Sequence, residues 1–343
     1  MTARKVTLAA MATLVLWASA WVAQRNEPAG TRMMHAATRF LAALTAEQRQ
    51  KAVFAFDHPE RFNWHFVPLE DAHKRPTRKG LAFEEMNQAQ RESALALLRS
   101  GTSSAGYRAA TTIMSLEAIL HELEKGKGPV RNPDWYFVTI FGDPSKDGPW
   151  GWRIEGHHLS VNFTLQGDKV IAATPCFFGA NPATVMYGER KGLRTLPLAE
   201  DLALELFRSL QPEQRRVALQ SKHFPEVSGR TRRAPVSQPV GLPASRMSEA
   251  QRDLLLKLIA DYTQRLPEDI ATYEMARIRK AGIETIHFAF AGGERSGVPH
   301  TYRIQGPTFV IEFLNVQNDS AGNPANHIHS CYRSLPNDFG LES

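Results

Sequence analysis

Only two of the 343 residues are cysteine, Cys176 and Cys331. That excludes the disulfide framework of small secreted domains, and a four-cysteine zinc site with it. In an oxidising compartment the two thiols can pair, or both can stay free and buried; sequence spacing does not decide between these. Several catalytic signatures are missing as well. There is no Gly-x-Ser-x-Gly, no phosphate-binding glycine loop, no His-Glu-x-x-His and no Cys-x-x-Cys, so the readings attached to those motifs fall away. A strong excess of one charge is also lacking. The net charge is +6 from 41 basic and 35 acidic residues. The basic residues lie among acids, apart from Arg230, Arg232 and Arg233 in a Pro/Ser-rich stretch that reads as a solvated loop. This is a weak basis for a charged partner, and no nucleic acid is expected.

Long apolar runs are scarce, and the one that stands out covers residues 6–23. Arg4 and Lys5 precede it, and Ala18-Ser19-Ala20 puts small residues where a signal peptidase reads. We read residues 1–20 as a signal peptide, which makes the protein periplasmic or extracellular. An uncleaved membrane anchor is the other reading of the same run. After cleavage no membrane association is expected. The remaining chain has enough apolar residues, 43% overall, for a sizeable core.

What the sequence does have is an internal echo. Leu44, Thr45, Glu47, Gln48 and Arg49 return as Leu210, Gln211, Glu213, Gln214 and Arg215; Gly80, Leu81 and Met86 return as Gly241, Leu242 and Met247. Gly142, Pro149, Arg153, Ile154, Gly156 and Phe163 return as Gly292, Pro299, Arg303, Ile304, Gly306 and Phe313. The order is kept while the offset shrinks, as happens when loops shorten and elements persist. Thr45 with Gln48, Asn87 with Gln90 and Ser248 with Gln251 have the spacing of capping boxes, and Pro212 suits a first helical turn. Further helices are expected near 107–124 and 267–281. Strands are expected over 135–141 and 286–291, with returning strands over 151–165 and 302–314 and a third strand near 170–174. The predicted fold is α+β: a tandem duplication of a helices-then-antiparallel-hairpin unit around a pseudo-two-fold. Copy one covers residues 36–185 and copy two residues 198–343, together forming one domain, with 228–243 a loop inside copy two.

Period-two alternation locates a candidate site. Leu159, Val161 and Phe163 point one way on their strand, while His158, Ser160 and Asn162 point the other. On the matching strand Phe309, Ile311 and Phe313 oppose Thr308, Val310 and Glu312. A sheet with one wet face would show the same pattern without any chemistry. Near the C-terminus, after the turn-forming stretch 318–324, stands Asn326-His327-Ile328-His329-Ser330-Cys331, expected as a tail that folds back towards the sheet. Two histidines at i and i+2 on an extended segment project to one side and can reach one ion; loop histidines capping backbone carbonyls are the alternative. The metal site predicted from this is His158, His327 and His329, with Glu312 as a fourth ligand or catalytic base. His157 is expected in the core, and His300 replaces Trp150 as a packing change. Arg153 and Arg303 are expected as equivalent structural residues, and Arg333 and Asp338 as supports behind the ligands.

Residues 152–162, residues 302–308 and the run from Gln317-Asn318 to His327-Ile328-His329 resemble a bacterial family catalogued as domain of unknown function 3500. The resemblance covers most of the chain after the leader and implies no particular activity. The residues themselves suggest three functions. The first is an exported metal-dependent hydrolase acting on a small molecule or glycan, its divalent ion zinc before copper, iron or manganese. The second is a non-catalytic binding protein for a small molecule or glycan. The third is a copper or iron redox protein.

Overall fold

The computed structural model describes residues 27–341, so the expected leader, residues 1–20, lies outside it. No described helix is long and apolar enough to cross a membrane. The described residues form a mixed α+β structure: eight α-helices and one open, mixed sheet of twelve strands.

Each half begins with helices whose ends the sequence dictates. In the first half α1 (Ala29–Ala42), α2 (Ala46–Ala52), α3 (Gln88–Ser100) and α4 (Ser104–Glu124) precede the main strands. Thr45 and Asn87 cap α2 and α3 in complete capping boxes with Gln48 and Gln90, which satisfies amide groups that the first turn leaves unpaired. The glutamines also clasp each other. Gln90 Nε2 donates to Gln48 Oε1 at 2.8 Å and to the Ala43 carbonyl at 2.9 Å, while Gln48 Nε2 donates to the Glu85 carbonyl at 2.8 Å. The second half has α5 (Pro197–Ser209), α6 (Pro212–Ala218), α7 (Glu249–Thr263) and α8 (Glu268–Lys280). There Gln251 Nε2 donates to Gln214 Oε1 at 3.0 Å and to the Ser209 carbonyl at 2.8 Å, and Gln214 Nε2 to the Arg246 carbonyl at 2.7 Å.

The strands are β1 (Val53–Phe54), β2 (Leu81–Ala82), β3 (Phe137–Phe141), β4 (Pro149–Gly156), β5 (Leu159–Gln166), β6 (Lys169–Ala172) and β7 (Cys176–Ala180), followed by β8 (Leu242–Pro243), β9 (His287–Gly292), β10 (His300–Gln305), β11 (Phe309–Gln317) and β12 (His327–Ser334). Their spatial order is β1-β3-β4-β5-β7-β12-β11-β10-β9-β8, with β2 on β3 and β6 on β5. The β1–β3 pairing is parallel and the others are antiparallel.

Three expectations are corrected here. Residues 151–165 are two strands, because His157 and His158 form a tight turn between β4 and β5. Pro307 and Thr308 break 302–314 in the same way, since proline cannot donate to a ladder. Finally, β12 is a central strand paired to both β7 and β11, where the sequence suggested a tail folding back on the sheet.

Both faces of the sheet are covered. One packs on the helices through Leu159, Val161, Phe163, Phe178, Phe313, Ile328 and Tyr332. The other lies beneath irregular chain from residues 55–80 and 220–240. There Phe62, Trp64, Phe66 and Val227 meet Phe177, Leu314, Cys331 and Phe339 in a second, smaller cluster. Two-sided covering explains why Ser160, Asn162 and Glu312 are buried, although their alternation alone would also suit a wet face. Cys331 stands opposite Phe177 and Cys176 opposite Tyr332. The two thiols therefore project from opposite faces and both are free.

Candidate metal centre

The site forms where three backbone features meet. His158 is the second residue of the β4–β5 turn, with φ at +61°. Non-glycine residues seldom adopt that left-handed conformation, and it is held here by other chain segments. The His158 amide donates to the Phe66 carbonyl at 2.8 Å, and its carbonyl accepts from the Gly179 amide at 2.8 Å. The turn directs the imidazole over the β7–β12 seam, which corrects its expected place on the polar face of a strand. His327 opens β12, and its amide donates to Asn315 Oδ1 at 3.1 Å. Asn315 lies in an irregularity of β11 between Leu314 and Gln317, the kind of local break that re-aims side chains beside a site. His329, opposite both Leu314 and Gly179, follows two residues later and projects to the same side as His327.

The structure brings all three histidines together. His158 Nε2 lies 2.8 Å from His327 Nε2 and 3.1 Å from His329 Nε2, and the three potential ligand atoms lie within 4.8 Å of one another. Ligands on a tetrahedral ion with bonds of 2.0–2.1 Å are roughly 3.3 Å apart, so the two separations from His158 are already close to those an ion needs. His158 and His329 are buried and His327 half-buried, which leaves His327 as the side open to solvent.

The partners of the other ring nitrogens give this convergence its meaning. His329 Nδ1 is 2.9 Å from Glu226 Oε2, and a carboxylate there favours a proton on Nδ1. The His327 ring hydrogen-bonds the Asn318 backbone. When Nδ1 of both rings carries the proton, both Nε2 atoms turn lone pairs towards His158 Nε2, which has at most one proton to share. A cation bound at the centre resolves that conflict. Burial, and then the imidazoles beside it, holds His158 well below the usual histidine range. Burial followed by His329 pushes His327 down to about 2. Neutral imidazoles are the form that ligates metal.

The sequence did not indicate several surrounding groups. Phe66 stacks on Phe177 at 4.0 Å between centroids and meets the edge of His329 at 5.2 Å. His157, expected in the core, is buried with Nδ1 against the Glu117 carboxylate and 3.1 Å from Arg131, and its ring stacks on His158 at 3.8 Å. Glu226 and Glu117 come from segments with no local motif, so no spacing rule could have found them.

Glu312 does not join the three nitrogens. It shares their face of the sheet, but its carboxylate accepts from Arg303 at 2.7 Å. Arg153 holds the equivalent position and pairs with Glu60 at 2.7 Å. Arg333 and Asp338 bond each other at 2.6 Å, and Arg333 also reaches Thr231 Oγ1 at 2.7 Å. They brace the loop of residues 220–240, and no hydrogen bond joins them to a histidine among the described residues. His300 is packed between Phe290 and Phe313, at 5.8 and 5.6 Å between centroids.

A family model described as "Protein of unknown function (DUF3500)" matches residues 26–341, nearly the whole chain. The chain belongs to the DUF3500 family. No curated protein and no solved structure matches it. In this member of the family, the three-histidine centre lies wholly within the matched region.

Proposed function

We propose that this protein is an exported metalloprotein, with a divalent ion on His158, His327 and His329, and that it is a hydrolase of a small molecule or glycan. The observation that carries the reading is the convergence of three Nε2 atoms whose rings are oriented from behind by Glu226 and the Asn318 backbone. Three protein ligands suit a catalytic site, which keeps one position open, better than a closed structural one. Zinc fits such a donor set first; manganese, iron and copper are the alternatives. Bound there, the ion would lower the pKa of a coordinated water and polarise a carbonyl or phosphoryl oxygen. His327, as the half-buried ligand, marks the side from which substrate approaches. Glu312 remains the proposed base, on the same face of the sheet, and acting as one requires it to exchange Arg303 for water.

We also read the chain as a tandem duplication around a pseudo-two-fold between β7 and β12. The strand order, which runs β3-β4-β5-β7 towards the centre from inside the β1 edge and β9-β10-β11-β12 from inside the β8 edge, supports this. So do the two glutamine clasps. For export, the support is the basic and apolar leader, upstream of the residues the family model matches.

Metal analysis of protein recovered from the cell envelope tests the function. Zinc or manganese in stoichiometric amount, with chelator-sensitive cleavage of ester, phosphoester or glycoside probes, supports the hydrolase. Stoichiometric copper or iron with a reversible redox couple would replace it with the redox reading. A protein that takes up no metal would leave the non-catalytic binding protein.

A further inference from the structure

We propose that Glu226 is a positioning residue of this centre: it fixes the tautomer of His329 and ties the loop of residues 220–236 to the presence of the ion. The inference rests on the metal reading and extends it to a residue outside the three ligands.

The contacts of Glu226 carry the argument. Its Oε2 faces His329 Nδ1 at 2.9 Å and accepts from Gln317 Nε2 at 3.3 Å, while Oε1 accepts from the Val227 amide at 2.9 Å. A glutamate side chain that is 44% exposed is thus held through both oxygens. An exposed carboxylate gains little stability from a surface partner, and ordering its side chain costs entropy. Its geometry is that of an outer carboxylate, which sets a ligand ring's tautomer and raises the basicity of the ligating nitrogen.

The loop behind Glu226 is anchored at its next residue. Val227 is buried in the small cluster with Trp64 and Phe66, the Arg230 amide donates to the Trp64 carbonyl at 3.1 Å, and Trp64 Nε1 reaches the Thr231 carbonyl at 3.4 Å. Trp64 and Phe66 belong to the segment whose Phe66 carbonyl receives the His158 amide. The centre therefore joins two covering segments from opposite halves of the chain, one through His158 and the other through Glu226. An ion that pulls His329 into place pulls on Glu226, and Arg230, Arg232 and Arg233 just beyond are exposed.

The test uses the mature full-length protein with Zn²⁺ and Co²⁺ as probes. Glu226→Ala should weaken Zn²⁺ binding by between about 10- and 100-fold, as losing an outer-shell partner typically does. It should also change the visible absorption of the Co²⁺ form. Glu226→Gln keeps an acceptor for Nδ1–H but loses the charge, and should fall between the two. Zn²⁺ should slow tryptic cleavage at the three arginines in the wild type and not in Glu226→Ala, and without metal the proteins should melt together. Unchanged affinity and an unchanged Co²⁺ spectrum in Glu226→Ala would overturn the assignment and leave Glu226 a loop anchor. If the wild type binds neither ion, the metal reading itself fails and takes this assignment with it.

Discussion

Gly156-His157-His158-Leu159 turns the chain between β4 and β5, and Gly306-Pro307-Thr308-Phe309 turns it between β10 and β11. The carbonyls of the two turns are bonded alike, although His158 has a positive φ and Thr308 does not. The His158 carbonyl accepts from the Gly179 amide at 2.8 Å, and the Thr308 carbonyl from the Leu335 amide at 3.0 Å. The side chains fare differently: His158 meets two imidazoles, whereas the buried Thr308 hydroxyl has no hydrogen-bond partner. Among the described residues only the first turn belongs to a metal-capable cluster. The two turns therefore share a carbonyl contact and not a chemistry. What separates the turns is their position along the β7–β12 seam, where β12 brings its first and third residues, His327 and His329, to one of them only.

The largest expected effect tests that difference directly. Replacing His158, His327 or His329 by alanine should weaken Zn²⁺ binding by more than about 100-fold, beyond the usual loss for an outer-shell partner, with circular dichroism unchanged. Thr308→His should gain no binding in the same titration calorimetry. A gain would show that the turn alone makes a site.

Next comes Gly179, the amide donor beside the first turn. A Cβ there would lie 2.7 Å from the Ile328 carbonyl oxygen and 3.0 Å from His158 Cδ2. Gly179→Ala should cost about 1–3 kcal/mol in denaturant unfolding, as overpacking does, and should weaken metal binding because His158 must move. At the second turn, Leu335 already carries a side chain.

The glutamine clasps sharpen the comparison from the other direction. Gln90 and Gln251 are both buried and make matching bonds. Gln90→Ala and Gln251→Ala should each cost about 1–3 kcal/mol, the penalty for leaving buried partners unsatisfied. Clearly unequal losses would mean that the halves share a drawing but not an energetic design.

The smallest effect concerns His65, in the covering segment of the first half. Burial comes first among the causes that lower its pKa to about 4, followed by the charges of Arg230, Arg78 and Arg153. Its folded pKa lies below the unfolded value near 6.5, so between those values the unfolded chain binds the proton and the folded one does not. The resulting stability is present above about pH 6.5 and is lost as pH falls towards 4. His65→Gln should flatten the melting temperature over that window. Its exposed half keeps the effect small, and a profile identical to the wild type would exclude it.

Much of this was legible in the sequence because the physics is local. Capping boxes at Thr45, Asn87 and Ser248 need only a side chain and an amide three residues on. The shared side of His327 and His329 follows from strand period alone. The tertiary structure decided the rest. That β7 pairs with β12, so that His158 meets the histidine pair, depends on contacts distant in sequence. That Glu226 orients His329 while Arg333 and Asp338 are spent on each other depends on which covering loop lands where. The Cys176 and Cys331 thiols stay apart through a one-residue register that puts them on opposite faces. Spacing along a chain specifies which side of an element a residue faces; which partner waits there is set by long-range packing of buried surfaces, to which no local pattern refers.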